Sequence, residues 1–451
     1  MPFRVAMIGA GSGFTVAIAN SLVKSAALRD CEFVLMDIDR EALQRADERI
    51  RRLNEENGGH LKITATDDCR AAVAGVDFVV SSCAPERMPY WLKDIEIAAR
   101  HGVELMQGEN GGPAGQIHAL RNITMLADLA GHMKQVCPDA WLMNFVNPMS
   151  MLCTWFRRYS PVKWMGFCHQ VHGSFGVVSE MLGMDPGELQ VITAGINHMN
   201  FLLDIRRKGR PGSYMEPFLE QVRGSEYWQK AREGVPAQVF TLEFLDAFGI
   251  YPVGYDNHIS EYMQLFYAKH EWQEKGLMGS ADEILAFQRL AEQRTQQRQK
   301  SGTLADVEVW RQIHDVIPFP KDIEHPYYEE SPVAVMEALA AGAPLYLDAM
   351  VVENRGCVTN LPDDAIVDIP VTIVGGRARG LDVGGLPPFA AELCRRQIVI
   401  HELIAEAAAE GCRRRFLEAL CLDPFVRGMS TAQKIMDDYL AEYAQCLPQF
   451  A

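Results

Sequence analysis

The sequence contains no block of basic residues, and its formal net charge is −16 over 451 residues. This charge balance argues against a nucleic acid or an anionic membrane as the partner. No run of about 18 apolar residues is uninterrupted, so we expect no transmembrane helix. The apolar run at the N-terminus leads into a glycine turn and lacks a small-residue cleavage site. We therefore expect no signal peptide and a cytoplasmic protein.

The cysteines form no recognisable framework. Eleven are present, an odd number, and they are scattered without a CxxC pair. In a long chain this distribution indicates reduced thiols rather than disulfides. Hydrophobic residues make up 48% and charged residues 23% of the chain, which is typical of a soluble globular enzyme. The length favours two domains.

The first third of the chain alternates between apolar, β-branched runs and helical patterns. Strands are predicted at residues 3–8, 31–36, 61–64, 76–82 and 141–146, and helices at 14–25, 40–54 and 117–135. This alternation predicts an α/β fold, namely a Rossmann-type, doubly wound parallel sheet like that of lactate and malate dehydrogenases.

The remainder of the chain has a different texture, with short strands separated by glycine and proline. Strands are predicted at 191–194 and 201–205, and long polar helices at 281–299 and 388–410. We predict an NAD-binding Rossmann domain over 1–155. A mixed α/β domain for metal binding, substrate binding and oligomerisation is predicted over 156–451. The site is expected in the crevice between them.

A glycine turn follows the first predicted strand. Gly9 and Gly11 permit a tight turn and close approach to a pyrophosphate, and the helix near Ser12 aims free N–H groups at that anion. Asp37 ends the second strand, where a carboxylate accepts hydrogen bonds from ribose and repels a 2′-phosphate, so NAD is favoured over NADP. Phe14 replaces the third glycine of GxGxxG, and a turn in a nucleotide-free fold is the alternative. The candidate NAD-binding residues are Gly9, Gly11, Ser12, Gly13, Phe14 and Asp37.

Two dipeptides, Cys168-His169 and Asn197-His198, are candidates for a metal site. A thiolate and an imidazole are good ligands for a divalent transition metal. Cys168-His169 follows a short strand predicted at 164–167, and Asn197-His198 ends another predicted strand. Strand ends collect ligands in such folds. The alternative is a cysteine in the core and a histidine with satisfied hydrogen bonds. The residue types alone leave both interpretations open.

Other polar residues are candidates for binding or catalysis, each with a structural alternative. Asn147 could present its amide to a sugar hydroxyl or cap a turn, and Glu109 precedes a glycine-rich loop that could be only a linker. Arg87 could meet an anion or be solvated. Tyr255 and Asp256 lie in the polar stretch YPVGYDNHISEY. Tyr255 could act as a base only if a nearby cation lowered its pKa from about 10.

Taken in order, eight segments resemble glycoside hydrolase family 4, the NAD- and manganese-dependent glycosidases. The resemblance covers essentially the whole chain, and several such segments in order are highly specific. The segments are IGAGSGFT, MDIDRE, QGENGGPAGQIHALR, NFVNPM, GFCHQVHG, AGINHMNFLLD, YPVGYDNHISEY and VVENRGCVTNLPDDAIVDIP.

The resemblance implies roles for the candidate residues. Cys168 and His198 match the two protein ligands of Mn²⁺, whose coordination the substrate completes through O2 and O3. Tyr255 falls where the family places its base for the C2 proton, although the adjacent Asp256 could serve instead. His169 follows the metal cysteine, where some members place an acidic residue that acts as general acid.

The resemblance also implies the reaction. Hydride passes from C3 of the sugar to NAD⁺, a base removes the C2 proton, and the aglycone is eliminated. Water then adds to C1 and the hydride returns, so there is no net oxidation. This family is an exception to the usual pair of catalytic carboxylates.

The resemblance also implies binding roles. Asn147 matches an asparagine that contacts the substrate near O3, and the glycine turn with Asp37 matches the NAD-binding positions.

The tetrad CHQV at residues 168–171 bears on the substrate. Family members that act on 6-phosphoglycosides carry Cys-Asp or Cys-Asn here, whereas Cys-His occurs in members that act on non-phosphorylated α-glycosides. Gln170 differs from the Glu, Ser or Gly of α-galacturonidases, α-galactosidases and α-glucuronidases. The resemblance therefore implies a non-phosphorylated α-glycoside, with hexosides slightly ahead of hexuronides, and a homodimer or homotetramer.

Two other functions are compatible with parts of the pattern. An NAD-dependent 2-hydroxy-acid dehydrogenase shares the sheet order and an Asn-Pro after the fifth strand, but it needs no Cys/His metal pair and would release stoichiometric NADH. A non-enzymatic NAD sensor would bind NAD without any effect of Mn²⁺ or of Cys168→Ser.

Overall fold

The structure, a computed structural model, describes residues 2–84, 87–105, 107–225, 239–254, 256–263 and 332–451. The first six strands are β1 (Arg4–Ile8), β2 (Glu32–Met36), β3 (Lys62–Thr66), β4 (Phe78–Ser81), β5 (Trp141–Asn144) and β6 (Lys163–Gly166). They are parallel and lie in the order β3-β2-β1-β4-β5-β6. This is the order of the dinucleotide-binding fold, so the predicted Rossmann-type sheet is confirmed.

Helices connect these strands. They are α1 (Phe14–Lys24), α2 (Arg40–Glu56), α3 (Cys69–Ala72), α4 (Arg87–Arg100), α5 (Gly112–Val136) and α6 (Met149–Tyr159). Asp39 caps α2, because its carboxylate accepts hydrogen bonds from the N–H groups of Glu41 and Ala42. Helix α5 begins five residues before the predicted start at 117. Pro113 lies in its first turn, where a missing N–H costs nothing.

The sheet continues beyond β6 with antiparallel strands. These are β7 (Leu189–Ile196), β8 (Met199–Arg207), β9 (Pro252–Val253), β10 (Leu345–Glu353), β11 (Ile366–Val374) and β12 (Arg377–Gly380). The order after β6 is β10-β11-β7-β8-β9, and β12 pairs with β11. The two strands predicted at 191–194 and 201–205 are the longer arms of the β7–β8 hairpin. This hairpin carries one of the two candidate metal dipeptides at its tip.

The later helices are α7 (Gln170–Leu182), α8 (Met215–Gly224), α9 (Val239–Phe248), α10 (Asp256–Ile259), α11 (Pro332–Ala341), α12 (Pro388–Glu410), α13 (Arg413–Leu422) and α14 (Met429–Glu442). The predicted helix at 388–410 is confirmed, and the one at 281–299 lies outside the described residues. Among the described helices, none is both long enough and apolar enough to cross a bilayer.

The C-terminal helices return to the N-terminal half of the chain. One continuous core contains Leu120 and Leu152 from the Rossmann part together with Ile404, Phe416 and Tyr439 from the C-terminal helices. The predicted domain boundary at 155/156 falls inside α6, which packs on α12. The division into two domains therefore stays a prediction.

A buried ionic contact joins α4, α5 and the segment after α14. The guanidinium of Arg121 donates to both oxygens of Asp94, at 2.8 and 2.6 Å. The hydroxyl of Tyr443 donates to the same carboxylate at 2.5 Å, and its ring lies 4.1 Å from the guanidinium carbon. Because both charges are almost fully buried, removal of either one would leave the other unpaired in the core.

Candidate functional site

The glycine turn after β1 is shaped by close backbone contacts. Gly9 has φ of +88°, and a Cβ there would lie 2.4 Å from the carbonyl oxygen of Ser82, so only glycine fits. A Cβ on Gly13, in contrast, would meet no atom within 4 Å. Gly13 stands at the N-terminus of α1, which has no side-chain cap. The turn therefore leaves open space beside Gly13, whose backbone N–H can face an anionic group.

Three further predicted cofactor residues surround this turn. Asp37 follows β2, and its two carboxylate oxygens accept the N–H groups of Gly11 at 2.8 Å and of Asp39 at 3.0 Å. The hydroxyl of Ser12 lies 2.8 Å from that of Ser82 at the end of β4. Phe14, which replaces the third glycine, packs its ring 5.1 Å from that of Phe145. Phe14 is thus part of the packing beneath the turn.

The two candidate metal dipeptides meet in space. Cys168 follows β6 and His198 lies at the tip of the β7–β8 hairpin, with Sγ and Nε2 3.2 Å apart. With zinc-like bond lengths of about 2.3 Å to sulfur and about 2.1 Å to nitrogen, two ligands at a right angle would lie about 3.1 Å apart. The pair therefore fits two neighbouring ligands of a single cation.

The position of His198 is fixed by an unusual backbone conformation and by its neighbour Asn197. His198 has φ of +66°, a region that residues other than glycine seldom occupy and that is often retained at functional sites. The N–H of Asn197 donates to the hydroxyl of Ser150, and its side-chain amide donates to Asp368. The Tyr262 hydroxyl donates to the carbonyl of Asn197. These contacts hold the turn that carries the imidazole.

The surroundings of His198 favour the form that binds metals. Burial lowers the pKa of His198 well below its ordinary value, and the nearby His258 lowers it further. A neutral imidazole is the metal-binding form. His169, which precedes α7, also acts on this pKa in the lowering direction, and Glu109 acts in the opposite direction. The charges of His258, His169 and Glu109 are thus close enough to His198 to change its pKa.

His258 and Glu261 complete the cluster, and the sequence analysis gave neither a role. The ring of His258 lies 4.1 Å from that of His198, and its Nδ1 lies 3.2 Å from Oε1 of Glu261. Oε2 of Glu261 accepts the backbone N–H groups of three successive residues, Glu109, Asn110 and Gly111, at 2.6, 2.5 and 3.1 Å. The sequence signal was the spacing His-x-x-Glu, which brings two side chains to one face of a helical turn.

Asn147 and Glu109 are linked through α5. The side-chain amide of Asn122 donates to the carbonyl of Asn147 at 2.6 Å and lies 2.9 Å from Nε2 of His118. The other ring nitrogen of His118 lies 3.0 Å from the carbonyl of Glu109. The backbones at these two predicted substrate-binding positions are thus held by one short network.

The carboxylate of Asp256, the alternative candidate for the base, contacts the start of α9. Its carboxylate accepts hydrogen bonds from the N–H groups of Phe240 and Thr241 and from the Thr241 hydroxyl, at 2.8 to 3.0 Å, in the first turn of α9. Burial raises the pKa of Asp256 to about 7. The side chain therefore caps a helix. Tyr255 lies outside the described residues, and so does the side chain of Arg87 at the start of α4.

Gln170, which lies in the tetrad that bears on the substrate, is buried in the structure. Its side chain is 3% exposed, and its amide donates to the carbonyl of Val253 at 2.7 Å. A Cβ on Gly254 would collide with this side chain. Gln170 therefore ties β9 to the start of α7, and its amide nitrogen faces protein backbone.

Comparison with known families identifies the chain. The model of the family 4 glycosyl hydrolases matches residues 4–184, and the model of the C-terminal domain of that family matches residues 193–426. This chain belongs to glycosyl hydrolase family 4. The resemblance inferred from the eight ordered segments is thereby confirmed, and the chain is a glycoside hydrolase.

Relatives of known activity align over nearly the whole chain. An α-galactosidase of Bacillus subtilis is 26% identical, covering 99% of both chains. An α-glucosidase of Erwinia rhapontici is 27% identical, covering 94% of both. A 6-phospho-α-glucosidase from gut microorganisms, solved in complex with NAD and Mn²⁺, is 20% identical with a TM-score of 0.76 and full coverage of both chains. The last likeness shows a shared fold.

Proposed function

We propose that this family 4 enzyme hydrolyses a non-phosphorylated α-glycoside by transient oxidation at C3, with NAD and Mn²⁺ as cofactors. The observation that carries the proposal is the 3.2 Å approach of Cys168 Sγ to His198 Nε2. The matched family, and a neighbouring structure that holds both NAD and Mn²⁺, support the same pair of cofactors. The names of the α-galactosidase and α-glucosidase relatives support an α-glycoside.

The glycine turn would hold the dinucleotide. The backbone N–H of Gly13 would face the pyrophosphate, and Asp37 would accept ribose hydroxyls. When bound, NAD⁺ accepts hydride from C3 of the sugar and later returns it, so turnover consumes no cofactor.

Cys168 and His198 would hold the cation. When bound, a divalent cation polarises a carbonyl oxygen and acidifies the neighbouring C–H. The chain then has to supply a base for C2 and a donor for the leaving oxygen. The Asp256 carboxylate is engaged at the N-terminus of α9, so we assign the base to Tyr255. His169, close to His198 at the start of α7, is assigned the donation of a proton to the leaving aglycone.

Glu109 bears on the choice of sugar. Its side chain is 5% exposed, and its charge acts on the pKa of His198. A second carboxylate, Glu261, lies fully buried beside His258. Like charges in a poorly solvated site repel strongly. The pair therefore disfavours a phosphate or a uronate close to the cation and favours a neutral hexoside, although relatives named for 6-phosphoglucosides and galacturonides also align.

A substrate panel tests the proposal. 4-Nitrophenyl α- and β-glycosides, 6-phosphoglycosides and uronides are assayed with NAD⁺, Mn²⁺ and a thiol reductant. We expect release of nitrophenol from a neutral α-hexoside, without accumulation of NADH and only with both cofactors. Preference for a phosphorylated or uronic substrate would contradict the assignment of the sugar. Stoichiometric NADH would instead support a dehydrogenase.

Two cysteine variants test the metal ligands. Cys168→Ser is expected to lose Mn²⁺-dependent turnover while it still binds NAD⁺. Cys421→Ser, which changes an exposed cysteine, is the matched control and should behave as the wild type. Normal activity of Cys168→Ser would refute the role of Cys168 as a metal ligand.

We also propose that the chain forms a homodimer or homotetramer. Light scattering that finds a monomer at assay concentration would contradict this assembly.

A further inference from the structure

His258 and Glu261 lie beside His198, and the proposed function gives neither of them a role in metal binding. The ring of His258 lies 4.1 Å from that of His198 and is tilted by 39° to it. One donor atom from each of His198, His258 and Glu261 lies within 4.8 Å of the others. The chain therefore concentrates more metal-binding groups here than the two protein ligands implied by the family resemblance.

Glu261 determines which nitrogen of His258 can bind a cation. Its Oε2 accepts three backbone N–H groups from residues 109–111, so this oxygen is held as an acceptor and Oε1 faces His258. Its Oε1 lies 3.2 Å from Nδ1 of His258, so Nδ1 carries the proton that it donates. Nε2 then keeps its lone pair. A carboxylate behind an imidazole is the usual arrangement of a metal-bound histidine.

A second histidine–carboxylate pair, His101 and Asp438, can be compared with His258 and Glu261. His101 lies 2.8 Å from Asp438, and its side chain is 18% exposed against 17% for His258. Both histidines are thus paired with a carboxylate and similarly buried. His258 differs because its ring lies against a histidine that is itself 3.2 Å from a thiol.

We propose that His258 is a third protein ligand of the cation held by Cys168 and His198, and that Glu261 is the positioning residue that sets its tautomer. The proposal rests on the proposed function, since it assumes the same metal site. Three protein ligands would hold the cation before the sugar binds. Through Glu261 the cation would also be coupled to the loop that carries Glu109.

Mn²⁺ binding to the full chain tests the proposal without any measurement of turnover. The signal of free Mn²⁺ is followed by electron paramagnetic resonance during titration of the NAD⁺-loaded enzyme. His258→Ala is expected to bind Mn²⁺ at least about tenfold more weakly, and Glu261→Gln about 10- to 100-fold more weakly. His101→Ala, the matched control, should keep the wild-type affinity. Pulsed measurements should show two coordinated imidazole nitrogens in the wild type and one in His258→Ala.

The outcomes separate this proposal from the proposed function. Wild-type Mn²⁺ affinity and two imidazole nitrogens in His258→Ala would overturn the third ligand, even if turnover were lost. Failure of the wild type itself to bind Mn²⁺, or binding unaffected by Cys168→Ser, would instead overturn the metal site of the proposed function. Circular dichroism and NAD⁺ binding check the fold of each variant. If His258→Ala does not fold, His258→Gln, which preserves more of the volume, is measured in the same way.

Discussion

Replacement of Glu261 by glutamine changes charge at nearly constant volume, and its effect on stability follows from the structure. The carboxylate accepts three N–H groups from residues 109–111. A hydrogen bond to a charged group contributes about 1.5–3 kcal/mol and a neutral one about 0.5–1.5 kcal/mol. The difference is about 1 kcal/mol per bond, so we expect Glu261→Gln to lower the free energy of unfolding by about 3 kcal/mol.

The same substitution should also change the tautomer of His258. The glutamine carbonyl oxygen has to face the three N–H donors, because its NH₂ group would repel them. The NH₂ group then faces Nδ1 of His258, which becomes an acceptor, and the proton moves to Nε2. A protonated Nε2 cannot bind a cation, so Mn²⁺ affinity falls together with stability.

Urea unfolding and Mn²⁺ titration measure these two effects on the same preparation. Glu41→Gln is the control, since that carboxylate is 89% exposed and its loss should change stability by less than about 0.5 kcal/mol. A Glu261→Gln enzyme with the stability and the Mn²⁺ affinity of the control would refute the reasoning. Lower stability with unchanged affinity would leave Glu261 as an anchor of the loop alone.

Three further predictions concern the turn, the core and the response to acid. Gly9→Ala forces a side chain into a left-handed turn. Calorimetry should therefore show that NAD⁺ binds roughly tenfold or more weakly. Unchanged affinity for NAD⁺ would exclude this turn as the cofactor site. Arg121→Met leaves Asp94 buried without its partner. Urea unfolding should show that the free energy of unfolding falls by about 3–5 kcal/mol. A decrease smaller than about 1 kcal/mol would show that the ion pair is not buried as described. Burial lowers the pKa of His401 from 6.5 to about 3. Below pH 6.5 this histidine is protonated in the unfolded chain but stays neutral in the folded chain. The free energy of unfolding therefore falls by about 1.4 kcal/mol per pH unit below pH 6.5. His401→Gln should reduce this slope between about pH 6.5 and 4.5, and an unaltered slope in unfolding titrations would contradict the assignment.

Local patterns predicted the strands of the Rossmann half and its helices α1, α2 and α5, although α5 begins five residues before its predicted start. Each strand there is a short apolar run followed by a turn and a helical pattern, and all of that information lies within about 30 residues. The glycine turn was therefore placed correctly, as was the strand that precedes Asp37. Helix α12 was predicted with its observed bounds, because a proline begins it and a glycine follows it.

The remaining contacts of the site depend on residues far apart in sequence. Glu261 holds a loop about 150 residues earlier in the chain, and no local pattern encodes that pairing. Asp256 accepts hydrogen bonds from the first turn of α9, a helix that begins 17 residues earlier in the sequence. No local pattern predicts a cap from so distant a residue, so this contact is visible only in three dimensions. Gln170 was interpreted from its place in the tetrad CHQV, and the contact of its amide with β9 is visible only in three dimensions.

The proposed reaction removes the hydrogen on C2 as a proton, which hydrolysis by a pair of carboxylates does not. A sugar released in D₂O is analysed by proton NMR after complete hydrolysis of a neutral α-hexoside with NAD⁺ and Mn²⁺. If the base removes the C2 proton before the aglycone leaves, the product carries deuterium at C2, and substrate deuterated at that carbon reacts more slowly. A product that keeps its original hydrogen at C2, with no isotope effect on the rate, would contradict the oxidative mechanism.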